Sequence, residues 1–286
     1  ARPTRTVRRG LPLFSKVIDT LRRAVVAGER RPTAPIVVHQ MAKVGSMSVY
    51  LELQRHFDPE LVFHTHVFED LDEHERAVRA AMTDPTEALA EIEKCRSVRR
   101  RFEAWDGPPW KVVTLVRDPI ARSLSLLFHS INSFIPQFAD RYARGGVSLD
   151  ELRAIYLTHY AGDPSVWFDR HVLAPFGVDV FAEPFRRDAG HHVYRGNGAD
   201  VLLIRLEDLA ACSRSAFRSF LGVRDFRPKW ENVNHGPLYA TLKRSLLDDQ
   251  LVEMMYHTRV ATHFYSRDEL AGLKEHWLSQ APTTGR

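Results

Sequence analysis

Short β-branched runs alternate along the chain with longer stretches of helical periodicity. Ile36 Val37 Val38 is the first run, and it passes through a glycine-containing turn into a helical pattern from about Ser46 to Phe57. Leu61 Val62 Phe63 leads into His64 Thr65 His66, after which a charged stretch rich in alanine and leucine suits surface helices through about Glu103. Val112 to Val116 is the strongest strand signal. Asp118 Pro119 stops it and opens a helical run from Ile120 to Phe128. Val178 to Phe181 and Val201 to Ile204 read as two further strands. Strands that alternate with helices predict an α/β fold in which helices cover both faces of a central parallel sheet, with ligands at the carboxyl ends of the strands.

The opening residues differ. Within residues 1–31, Phe14, Val17, Ile18, Leu21 and Val25 recur at helical spacing among eight arginines. This predicts a basic amphipathic helix that docks its apolar stripe on the main domain or touches an anionic membrane surface. Residues 32–286 read as one α/β domain.

Composition narrows the possibilities only slightly. The 44% hydrophobic and 27% charged fractions are those of a folded globular protein. No apolar run approaches the roughly 20 residues that span a bilayer, and Ala1 to Gly10 lack the apolar core of a secretory signal. The expectation is a soluble, cytoplasmic protein, peripheral to a membrane at most. Cys95 and Cys212 fit neither a disulfide framework nor a paired metal-ligand spacing. A net charge of +4 suits an anionic ligand but is too mild to single out nucleic acid.

Candidate chemistry gathers at two strand ends. His39 to Ser48 joins the first strand to the first helix and carries Lys43, Val44, Gly45, Ser46, Met47 and Ser48. Glycine lets the backbone approach an anion, helix N–H groups point outward, and Lys43 adds a mobile charge. The G-x-x-x-x-G-K-[ST] spacing of a triphosphate loop is absent. The second group, Arg117 Asp118 Pro119 to Ser125, sets an arginine at the end of a buried strand and a hydroxyl two helical turns beyond it. Between them in sequence, strand alternation turns His64 and His66 to one face, where a neutral imidazole can act as a general base. Glu69 and Asp70 lie close enough to orient that imidazole or to be the base themselves.

These segments resemble those of the sulfotransferases that use 3'-phosphoadenosine-5'-phosphosulfate (PAPS). Lys43, Gly45, Ser46 and Ser48 match the 5'-phosphosulfate loop, with Ala42 and Met47 departing from it. Arg117 and Ser125, in an R-[DN]-P-x-x-R-x-x-S context, match the 3'-phosphate motif. His64 Thr65 His66 Val67 is similar to a segment of the uronyl 2-O-sulfotransferase branch whose second histidine is the base. The resemblance implies a P-loop-like sulfotransferase fold, PAPS as co-substrate, no metal, and His66 as base with His64 in support. It also implies a hydroxyl acceptor on a glycan or glycolipid.

Trp167 Phe168 Asp169 and the stretch from Phe181 to Tyr194 bear a looser likeness to bacterial capsular polysaccharide synthesis proteins. Asn232 to Tyr239 with Lys243 and Arg244 is the candidate for a basic loop that closes over the 3'-phosphate. Arg122 reads as a solvated or structural residue, Arg205 and Glu207 as structural, and Lys94 to Arg101 as a solvated helix face or a basic track for an anionic polysaccharide. Two other classes fit less well: a kinase-like phosphotransferase, and a non-catalytic glycan- or membrane-binding protein on the same fold.

Overall fold

A computed structural model describes residues 34–82, 84–229, 242–243 and 245–279. The expected N-terminal basic helix lies outside the described residues, as do Asn232 to Tyr239 and Arg244 of the late basic loop.

Five strands form one sheet in the order β2-β1-β3-β5-β4: β1 (Ile36–His39), β2 (Val62–Thr65), β3 (Trp110–Val116), β4 (His191–Arg195) and β5 (Ala199–Arg205). β1, β2, β3 and β5 run parallel, and β4 pairs antiparallel with β5. β1 is buried along its whole length, as a strand covered on both faces must be. The predicted α/β class therefore holds, with a sheet that is mostly rather than wholly parallel. Among the described residues, no helix is long and apolar enough to cross a membrane.

The antiparallel edge comes from a hairpin. β4 turns into β5 through Gly196 Asn197 Gly198, where Gly196 N–H donates to the Ala199 carbonyl at 3.0 Å and Gly198 takes φ +87°. Asn-Gly is the dipeptide that such tight turns favour. The strand expected at Val178 to Phe181 does not form. That segment leaves a helix whose C-cap, Gly177, is left-handed, and it packs Val178 and Val180 into the core without a partner strand.

Helices α1 (Ser46–His56), α2 (Leu71–Ala81), α3 (Thr86–Glu103) and α4 (Pro119–Phe134) fill the connections among the first three strands and follow β3. From β1 the chain moves outward to β2; from β3 it moves the other way to β5. The strand order therefore reverses between β1 and β3, and a doubly wound sheet opens a ligand crevice at the carboxyl ends of the strands flanking such a reversal. The loops that follow β1 and β3 are those carrying Lys43 and Arg117.

Candidate nucleotide and proton-transfer site

The loop after β1 is strained in the manner of a binding loop. Lys43 and Gly45 both adopt left-handed backbone, at φ +70° and +81°. For lysine this conformation costs about 1 kcal/mol or more. Gly45 is the N-cap of α1 and supplies no side-chain cap, so the first N–H groups of the helix lack the usual hydroxyl or carboxylate partner. A Cβ on Gly45 would lie 2.6 Å from Leu206 Cδ1, so the loop passes hard against the end of β5. Not every loop residue faces an anion: the Val44 side chain is in the core, Met47 is exposed, and Ser48 is buried.

Arg117 leaves β3 and donates from Nη1 to the Lys43 carbonyl at 3.0 Å, which joins the two predicted anchors directly. Burial, and then the charge of Arg117, lowers the Lys43 pKa. Ser125 and Arg122 occupy one face of α4 with His129. Arg122 is partly buried and has no ion-pair partner among the described residues. Its Nε is buried without a hydrogen-bond partner, and no carboxylate meets its guanidinium among the described residues. Burial brings its pKa down to about 10, against an opposing effect of Tyr156 and with a smaller lowering by Arg117. Lys243 belongs to the same region. Its Nζ lies 4.3 Å from the Trp277 ring centre, and burial followed by the Arg117 charge lowers its pKa.

The turn that aims Arg117 is clamped by buried polar contacts. Asp118 caps α4 by accepting from Ile120 N–H at 3.0 Å. Its Oδ1 also accepts from Tyr256 OH at 3.0 Å, and its Oδ2 accepts from Trp277 Nε1 at 2.9 Å. Glu207 receives the Asp118 N–H at 2.9 Å and the Tyr265 OH at 2.9 Å. Arg205 pairs with Asp208 and Glu269. The structural roles expected for Arg205 and Glu207 are met: they brace the turn from the neighbouring strand end.

The two histidines come together as strand alternation predicts, with ring centres 4.8 Å apart. His66 Nδ1 lies 3.0 Å from the Gln40 carbonyl, an oxygen that can only accept, so Nδ1 carries the proton and Nε2 keeps its lone pair. Burial lowers the His66 pKa, against the opposing effects of the Gln40 carbonyl and Glu91. His64 Nε2 meets Gln40 Nε2 at 2.9 Å and Ser46 Oγ at 3.1 Å, and burial pushes its pKa down to about 3. Ser46 therefore bonds to His64 rather than standing free for a phosphate. Glu69 is held by Arg99 in an ion pair at 2.5 Å. Asp70 takes left-handed backbone at the start of α2.

Several residues of this region carry no local sequence signal. Glu91 on α3 sets a carboxylate oxygen within 4.8 Å of ligand atoms of His64 and His66. His129 reaches solvent at its rim, yet partial burial and then the Lys43 charge hold its pKa low. Trp167 donates from Nε1 to the His66 carbonyl at 2.8 Å, and His171 Nδ1 accepts from the Phe68 and Glu69 N–H groups at 3.2 and 3.3 Å. Both sit on a helix that widens into a π-turn at Asp169–Leu173, and together they fix the chain just beyond the histidine pair. Most cations of α3 are ion-paired. Lys94 pairs with Glu91, Arg96 with Asp72, Glu75 and Glu93, and Arg99 with Glu69 and Glu103. Arg100 pairs with Glu93, while the exposed Arg101 lies over the Phe63 ring.

No protein-family model, curated protein or solved structure matches the chain. The chemistry of this region is therefore read from its own atoms.

Proposed function

We propose that the chain is a sulfotransferase that moves a sulfuryl group from PAPS to a hydroxyl of a glycan or glycolipid. One observation carries the reading. Lys43, Arg117 and Arg122 gather at the reversal point of the sheet with no carboxylate partner among the described residues. Folded proteins rarely leave several half-buried cations unpaired, because each loses hydration without compensation. A ligand with more than one separated anionic group resolves that cost.

In this reading Lys43 and the open N–H groups of α1 hold the 5'-phosphosulfate, while Arg117, Arg122 and Ser125 hold the 3'-phosphate. Lys243 closes the 3' side. The acceptor oxygen attacks sulfur in line, the bond from sulfur to the bridging oxygen breaks, and 3'-phosphoadenosine-5'-phosphate departs with its new negative charge beside Lys43. His66 Nε2 takes the acceptor's proton as the new bond forms. Gln40 keeps the ring in the tautomer that makes this possible.

The test is ligand-induced thermal stabilisation. 3'-Phosphoadenosine-5'-phosphate raises the melting temperature, ATP with magnesium does not match it, and Lys43→Ala and Arg117→Ala each remove most of the gain. A bisphosphate that leaves the wild-type melting curve unmoved overturns the assignment.

A further inference from the structure

The geometry points to a binding site for a borderline divalent cation of the zinc type, formed by His64, His66 and Glu91, whose occupancy silences the proposed base. One ligand atom from each of the three residues lies within 4.8 Å of those of the other two. Two imidazoles and a carboxylate are a donor set such ions favour, and three protein ligands leave a fourth position for water. With bonds of about 2.0–2.1 Å, the donors of a tetrahedral site stand roughly 3.3 Å apart. The three groups must therefore close in by about 1.5 Å at most.

The freedom to do so lies in Glu91. Its carboxylate meets the exposed Lys94 at 3.2 Å and the Cys95 thiol at 3.9 Å, a partly exposed ion pair and a weak donor that each contribute little. Its long side chain, on the face of α3 next to the histidines, is the ligand with most room to adjust. The imidazoles, by contrast, are already held. His66 Nδ1 donates to the Gln40 carbonyl, the outer contact that metal-binding histidines characteristically make, and this aims Nε2 inward. His64 Nε2 accepts from the Gln40 amide and contacts Ser46 Oγ, so an ion at Nδ1 requires that nitrogen to give up its proton and the Gln40 amide to turn its oxygen, buried without a partner, toward an Nε2–H. The ligands come from the end of β2 and from α3, so an ion would also tie those elements together.

An ion on His66 Nε2 occupies the lone pair that accepts the acceptor's proton. The inhibitory consequence rests on the proposed sulfuryl transfer; the binding itself does not. The test is therefore made first on the full chain without nucleotide or acceptor. Equilibrium dialysis with Zn2+ should give one bound equivalent, and Co2+ in its place should give the intense visible absorption of a four-coordinate ion. Glu91→Gln should weaken both by at least tenfold, and His66→Ala should abolish the cobalt band, with wild-type circular dichroism showing that each variant is folded. Absence of the cobalt band, or undiminished binding in the two folded variants, overturns the site. In transfer assays Zn2+ should block turnover and a chelator restore it. Zinc bound at one equivalent without loss of turnover overturns the silencing role.

Discussion

Arg122→Met separates stability from ligand binding. The guanidinium, ordinarily at 12.5, is brought to about 10 chiefly by burial. At about 1.36 kcal/mol per unit, the charged side chain is held at a penalty on the order of 3 kcal/mol. Methionine fills a similar volume and removes the charge, and replacing buried charges with apolar groups of like size commonly gains about 1–4 kcal/mol. A gain of about 2 kcal/mol in the ligand-free protein corresponds to a melting temperature about 4–8 °C higher. The same change deletes a charged hydrogen-bond donor to phosphate, which contributes about 1.5–3 kcal/mol, so affinity for 3'-phosphoadenosine-5'-phosphate should fall about 10- to 100-fold. Scanning calorimetry with and without the bisphosphate, together with titration calorimetry, reads both quantities. A variant that is less stable without ligand would show that Arg122 has a structural partner, and unchanged affinity would remove it from the phosphate site.

Other changes probe neighbouring parts. Gly45→Ala should lower stability by about 1–3 kcal/mol and impair bisphosphate binding, because alanine is strained at φ +81° and its Cβ meets Leu206 at 2.6 Å; an unchanged melting temperature would refute the close passage of loop and strand. Trp277→Phe keeps the packing but leaves Asp118 Oδ2 without its 2.9 Å donor, so denaturant unfolding should report a loss of about 1–3 kcal/mol. His66→Ala should leave bisphosphate affinity within about twofold while turnover drops about a hundredfold or more, and turnover near wild type would move the base to another residue.

The sequence reading succeeded where local pattern and tertiary role coincide. Ile36–His39 and Trp110–Val116 are continuous apolar runs because both faces of those strands are covered, and the loops after them carry glycine, lysine and arginine because the sheet reverses there. Val178 to Phe181 has the alternation of a strand but follows a left-handed helix cap and finds no neighbour, so the burial its residues need comes from packing alone. β4 was missed although Asn197 Gly198 announced a hairpin, because His191 to Arg195 mixes polar and apolar residues at a half-covered edge. The surroundings of Glu69 and Arg122 were not legible for one reason: Glu69 pairs with Arg99, thirty positions away, and Arg122 meets no carboxylate among the described residues.

Gln40 links the two halves of the site in a way that neither motif reveals. Its carbonyl fixes the tautomer of His66 while its side-chain amide reaches His64, which also contacts Ser46 at the first turn of α1. An anion seated on that first turn would contact the helix end that carries Ser46. The histidine pair is therefore joined by hydrogen bonds to the loop after β1, and under the proposed function a nucleotide that orders the loop should also order the proposed base. This continuity explains why His64, too buried and too low in pKa to serve as a base itself, occupies the centre of the cluster. Under the proposed function its ring, in contact with Ser46 on one side and 4.8 Å from the His66 ring on the other, links the loop to the imidazole that takes the proton.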